Sequence, residues 1–85
     1  MSYKYPNEKE RLFTEEGLNM YIEIRDRVKD LLRKAGAFTM GSAICGTTGD
    51  SWLMLACVDR MLEKGEFREV TNPDYVAAQN RVFAR

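Results

Sequence analysis

The side chains with the most chemistry in this 85-residue chain are Cys45 and Cys57, its only cysteines. Two thiols can form a disulfide, contribute to a metal site or supply a nucleophile. The plain alternative is two small buried thiols, a common place for free cysteine. The chain has no histidine, so a mixed Cys/His zinc set cannot be assembled, and two thiolates fall short of four ligands. Nor is there an imidazole to activate a cysteine or a serine. No phosphate-cradling glycine loop is present, and the carboxylates form no acid–base constellation. The sequence therefore predicts no enzyme, no metal and no cofactor, with both thiols in the core.

Charge narrows the partners. Lys and Arg number 13 against 13 Asp and Glu, whereas DNA-binding domains usually carry a basic excess that supplies the salt-dependent part of affinity. Residues 1–45 hold 8 basic against 7 acidic side chains, and residues 46–85 hold 5 against 6. Any basic patch has to come from folding. The start of the chain, Met1-Ser2-Tyr3-Lys4-Tyr5-Pro6, lacks the apolar run of a secretory leader, and no stretch approaches the roughly 20 apolar residues that span a membrane. The expectation is a cytoplasmic protein with no membrane partner, built as one small domain.

The elements that would position these groups follow from caps and periodicity. Residues 1–13 read as a tail or arm, with Asn7 able to cap one helical turn and Leu12 or Phe13 able to dock; a plain tail is the favoured reading. Thr14-Glu15-Glu16 opens a helix of about 15–35. Its apolar stripe is Tyr21, Ile24, Val28, Leu31, Leu32 and Ala35, opposite a charged face of Glu23, Asp26, Arg27, Asp30, Arg33 and Lys34. Gly36 stops it. Ala37–Met40 is too short for more than a single bridge, and Thr39 or Ser42 caps a short helix of about 41–47. Thr47-Thr48-Gly49-Asp50 makes a turn, and Asp50 or Ser51 caps a third helix of about 51–64. In that helix Met54, Val58 and Met61 face the core, flanked by Leu55 and Leu62, while Leu53, Ala56, Cys57, Arg60, Glu63 and Lys64 lie opposite. Alternation predicts strands over about 66–71 and 80–84, separated by the turn Thr71-Asn72-Pro73-Asp74. The fold class is α+β.

Helix, Phe38-Thr39, short helix, turn, helix and the junction Val58–Arg68 resemble the winged helix-turn-helix family over about residues 15–85. That resemblance implies three helices and a two-stranded wing hairpin. It also implies that the third helix enters a DNA major groove while wing and helix N-termini hold phosphates. The positions carried over are Thr48, Ser51, Trp52, Leu53 and Ala56 near the groove, with Arg60, Lys64, Arg68, Asn80 and Arg81 toward the backbone, and Arg85 as a further phosphate contact. The chain departs from the family's chemistry here, because Trp, Leu and Ala offer few donors or acceptors to base edges.

Two readings stand on these residues. One is a double-stranded-DNA-binding regulator or mobile-element accessory factor. The other is a protein-interaction module, or a homodimer, docking through Trp52, Leu53, Ala56 and Cys57. From sequence alone, Leu53→Asp is expected to abolish a protein contact. Arg60→Ala with Arg81→Ala is expected to remove DNA affinity and flatten its dependence on salt, as read by anisotropy titration.

Overall fold

Thr14 begins the longest element. Its side chain accepts a hydrogen bond from the Gly17 amide, opening α2 (Glu15–Ala35) with Glu15 and Glu16 in the first turn, where carboxylates suit the helix dipole. Gly36 closes it at φ 74°, and its amide donates to the Leu32 carbonyl. A side chain in this left-handed conformation is strained, so the sequence stops the helix where it needs a glycine. In this computed structural model, which describes residues 3–85, α2 buries Met20, Ile24 and Val28 and half-buries Tyr21, Leu31 and Leu32. Ala35, assigned to the same stripe by periodicity, is exposed at the C-terminal end.

Strand β1 (Ala37–Thr39) leads into α3 (Met40–Ile44), whose cap is a reciprocal pair. Ser42 donates its amide to the Thr39 hydroxyl, and its own hydroxyl takes the Thr39 amide. Asp50 then caps α4 (Ser51–Glu63) by accepting from the Trp52 and Leu53 amides. Strands β2 (Arg68–Glu69) and β3 (Val82–Ala84) complete an antiparallel sheet of order β1-β3-β2. The sheet has three strands where the sequence predicts two. The third is β1, in full register with β3 from Ala37 opposite Ala84 to Thr39 opposite Val82. Pairing between such distant segments leaves little local signal. The pairing stacks Phe38 against Phe83 at 5.1 Å, and Phe67 meets both edge-on, giving the sheet its apolar face.

Two further corrections concern what covers α4. The segment read as a tail folds instead, as α1 (Tyr5–Glu8) and a 3-10 helix over Lys9–Phe13, with Leu12 buried and Phe13 exposed; Met1 and Ser2 lie outside the described residues. This segment packs on α4, so α4 is buried nearly all round. Leu53, Ala56 and Cys57, assigned to the surface, are fully buried together with Met54, Leu55, Val58 and Met61. Conversely Cys45 is exposed, so only one of the two thiols lies in the core. Burial pushes the Cys57 thiol up to about 12.

Gly17 makes this covering possible. A Cβ there would stand 2.1 Å from the Arg11 carbonyl oxygen and 2.8 Å from the Leu12 Cα, both backbone atoms that cannot swing aside. Helix propensity alone says that Gly17→Ala should stabilise α2 by about 1 kcal/mol. The close approach predicts the opposite sign, a loss of about 1–3 kcal/mol, read from urea unfolding. A gain in stability would show that the N-terminal segment does not sit against α2.

Candidate functional site

The most concentrated polar chemistry lies where α4, β2 and the start of β3 meet. Arg81, one residue ahead of β3, is buried and bridges two carboxylates. Its Nη2 donates to Asp59 Oδ1 and to Glu69 Oε1 at 2.8 Å each, its Nη1 to Asp59 Oδ2 at 3.2 Å, and its Nε to Glu69 Oε2 at 3.0 Å. The Tyr3 hydroxyl adds a 2.6 Å bond to Asp59 Oδ2, and the Thr71 hydroxyl a 3.0 Å bond to Glu69 Oε2. The guanidinium also lies over the Phe83 ring at 5.2 Å. A planar fork with donors on two edges can hold two carboxylates at once, which an ammonium cannot.

Titration follows from these contacts. Burial raises the Glu69 carboxyl, but hydrogen bonds from Arg81 and Thr71 outweigh it and hold the group below its usual range. Burial works against the charged guanidinium, yet the two carboxylates keep Arg81 well above its ordinary value. The Tyr3 phenol is pushed far up by burial and by its bond to Asp59, so it stays a donor at any working pH. Tyr5 is raised to about 12 by burial and by its bond to Glu63. With every group tied to another, the cluster offers no free acid, base or nucleophile. Its chemistry is positional.

Beside this cluster lies a cavity of about 570 Å³, lined by Tyr3 and Tyr5, by Leu62 and Glu63 of α4, and by Pro73, Asp74, Val76 and Ala78 of the loop before β3. Its walls are mainly apolar and its rim is acidic. Glu63 is already engaged by Lys9 and Arg60. Asp74 has no ion-pair partner among the described residues. No cluster of three or more metal-ligating side chains occurs among those residues.

The structure does not bring the residues carried over from the winged-helix resemblance onto one surface. Leu53 and Ala56 are inside the core, because α1 and the following 3-10 helix occupy the side of α4 that the resemblance reserves for DNA. Trp52 is half-buried, with the Tyr3 ring edge-on at 6.5 Å. Arg81 is consumed internally. Arg60 is paired with Glu63, Lys64 with Glu66, and Arg68 donates to the Arg85 carbonyl. Arg85 itself caps the end of α2 through the Leu32 and Arg33 carbonyls. Thr48, Ser51 and Asn80 remain exposed. Leu53→Asp and Arg81→Ala would thus report on folding, not on a binding surface. The apolar docking patch of Trp52, Leu53, Ala56 and Cys57 is likewise not a surface.

The signal for the burial of α4 was available as the unbroken apolar run Leu53–Val58, since a helix apolar all round is buried. Nothing local marks Asp59, Glu69 and Arg81 as partners.

Removing the guanidinium leaves two buried carboxylates facing each other. Arg81→Ala is expected to cost about 3–5 kcal/mol, and Arg81→Lys to restore little of it. The pH dependence has a defined sign. Glu69 is held below its unfolded value of about 4.3, so its contribution is complete above that value and is lost as pH falls through the folded one. The wild-type urea midpoint should therefore fall between about pH 5 and pH 3. In Arg81→Ala the fall should be shallower, because protonation relieves the repulsion left behind. A variant as stable as wild type would mean that the cluster does not form.

No helix among the described residues is long and apolar enough to cross a membrane. Comparison with protein-family models, with curated proteins and with solved structures finds no match to this chain.

Proposed function

We propose that this protein is an interaction module on a winged-helix-type scaffold, which binds a segment of another protein and does not read DNA. The order helix, short helix, turn, helix, strand, loop, strand supports the scaffold assignment. The observation that carries the functional reading is the placement of cations. No Lys or Arg occurs between Lys34 and Arg60, or between Arg68 and Arg81. These stretches supply α3, the turn, most of α4 and the loop before β3, which are the parts a winged helix turns toward DNA. Of the cations that reach these parts from elsewhere in the chain, Arg81 is neutralised inside the fold, Arg11 is paired with Asp50, and Arg27 is paired with Glu23. A face without free cations forgoes the counterion release that drives nucleic-acid binding.

The cavity beside α4 supplies the alternative surface. Leu62, Val76 and Ala78 can seat one aliphatic or aromatic side chain, and Asp74, free of ion pairs, can take a Lys or Arg next to it. The partner chemistry is a short segment pairing an apolar anchor with a basic residue. Double-stranded DNA is the second reading, favoured by the scaffold order alone.

Two measurements separate them. Anisotropy titration with mixed duplex DNA at about 50 and 200 mM salt is expected to show no binding at tens of micromolar protein. Selection from a displayed peptide library is expected to enrich basic–apolar segments, with binding lost in Val76→Asp and weakened in Asp74→Lys. DNA binding that falls steeply with salt would overturn the proposal. So would peptide enrichment that ignores both substitutions.

A further inference from the structure

The outward face of α2 carries large apolar side chains that the core does not take in. Leu18 and Ile22 stand one turn apart on it, each 48% exposed, and Phe13 precedes them at 62%. Tyr75 and Val70, the other exposed large apolar side chains, lie in the loop after β2 and share no helix face. Positions 15, 18, 22, 25 and 29 fall on a single side of the helix at spacings of three and four. Two apolar side chains in adjacent turns, next to a third, are more than the scattered exposure that any surface shows.

The charges on α2 supply the second observation. Glu23, Arg25, Asp26, Arg27, Asp30, Arg33 and Lys34 all have ion-pair partners on the helix itself. Among the described residues Glu15, Glu16 and Lys29 have none. Glu15 and Lys29 stand seven positions on either side of Ile22. An antiparallel pair of α2 helices with its two-fold axis at Ile22 brings each Glu15 to the other copy's Lys29. The same axis sets Ile22 against Ile22 and lays Leu18 opposite position 26, between the stems of Arg25 and Lys29 of the other copy. The face is self-complementary in charge as well as apolar at its centre, which is what a two-fold interface requires.

We propose that this face pairs with a second copy of the chain, burying Phe13, Leu18 and Ile22 between antiparallel α2 helices, with Glu15 of each copy meeting Lys29 of the other. The 21-residue helix is about 31 Å long. A standard interface takes about 800 Å² per partner, roughly 15% of the 5199 Å² that the chain exposes. A helix pair of this length with a Phe at each end falls at the small end of that class, so the dissociation constant should be in the micromolar range. The surface is separate from the cavity beside α4, and neither proposal depends on the other.

Sedimentation velocity on the full chain from about 5 to 200 µM tests it. The mass is expected to rise from 9.8 kDa toward twice that value across the range. Leu18→Glu with Ile22→Glu should stay monomeric with an unchanged far-ultraviolet circular dichroism spectrum, while Tyr75→Ser should dimerise as wild type does. Charge exchange decides the geometry without touching an apolar side chain. Glu15→Lys alone and Lys29→Glu alone should each weaken the dimer about tenfold, and an equimolar mixture of the two should restore it, since both cross-pairs are then attractive. Three results would overturn the proposal: a wild-type monomer at 200 µM, a dimer indifferent to the Leu18 and Ile22 changes, or a mixture no tighter than its components.

Discussion

The bond set around Arg81 is the constraint on which the remaining architecture rests. One guanidinium joins α4 through Asp59, β2 through Glu69 and the entry to β3 through its own backbone, whose carbonyl accepts from Met40 at the start of α3. Tyr3 brings the N-terminal segment onto the same carboxylate. Five parts of the chain thus converge on Arg81 and its two carboxylates. The arrangement holds two negative charges against one positive in a buried place. It is tolerable because most of the oxygen and nitrogen positions in reach are hydrogen-bonded, and it becomes costly as soon as one is removed.

The second constraint is the covering of α4. Its polar neighbours are fastened at the edge, with the Tyr5 hydroxyl and Lys9 on Glu63 and Arg11 on Asp50, while Leu12 enters the core beneath them. Exposed ion pairs of this kind add little by themselves. What holds the segment is apolar burial together with the backbone approach at Gly17. α4 is therefore an interior element of the fold. The cavity between the N-terminal segment and the loop before β3 and the outer face of α2 are open to solvent.

Local information was well represented in the sequence, and non-local information was not. The caps at Thr14, Thr39 and Asp50 and the stop at Gly36 are each set by a residue acting on its own neighbours, and the helix limits follow from them. Strand β1 exists only because β3 returns beside it, and three residues carry no detectable period. The resemblance implies a phosphate-side position for Arg81; its burial depends instead on Asp59 and Glu69, 22 and 12 positions away. The surface assigned to Leu53, Ala56 and Cys57 failed for a related reason. A stripe calculation assumes one buried side, and α4 has partners on several sides, one of them a segment that looked like a tail. Leu18 and Ile22 lie off the stripe that α2 buries, and two apolar residues on an otherwise charged face carry no periodic signal of their own.

The short strands explain why so much polar bonding is spent on one arginine. β2 has two residues and β3 three, too few for ladder hydrogen bonds to specify a register on their own. Slipping β3 by one residue would turn Phe83 out of the aromatic cluster and drive Val82 or Ala84 into its place, a change of face that a sheet this small could not resist by pairing alone. The Arg81 fork is directional where apolar packing is not. It fits Asp59 and Glu69 together in only one alignment of β3 against β2 and α4, and any slip strands a charge in the interior. Buried ion pairs are often matched in free energy by an apolar triad of equal volume, but such a triad would not penalise the shifted register. The cluster thereby sets which structure forms more than how stable it is.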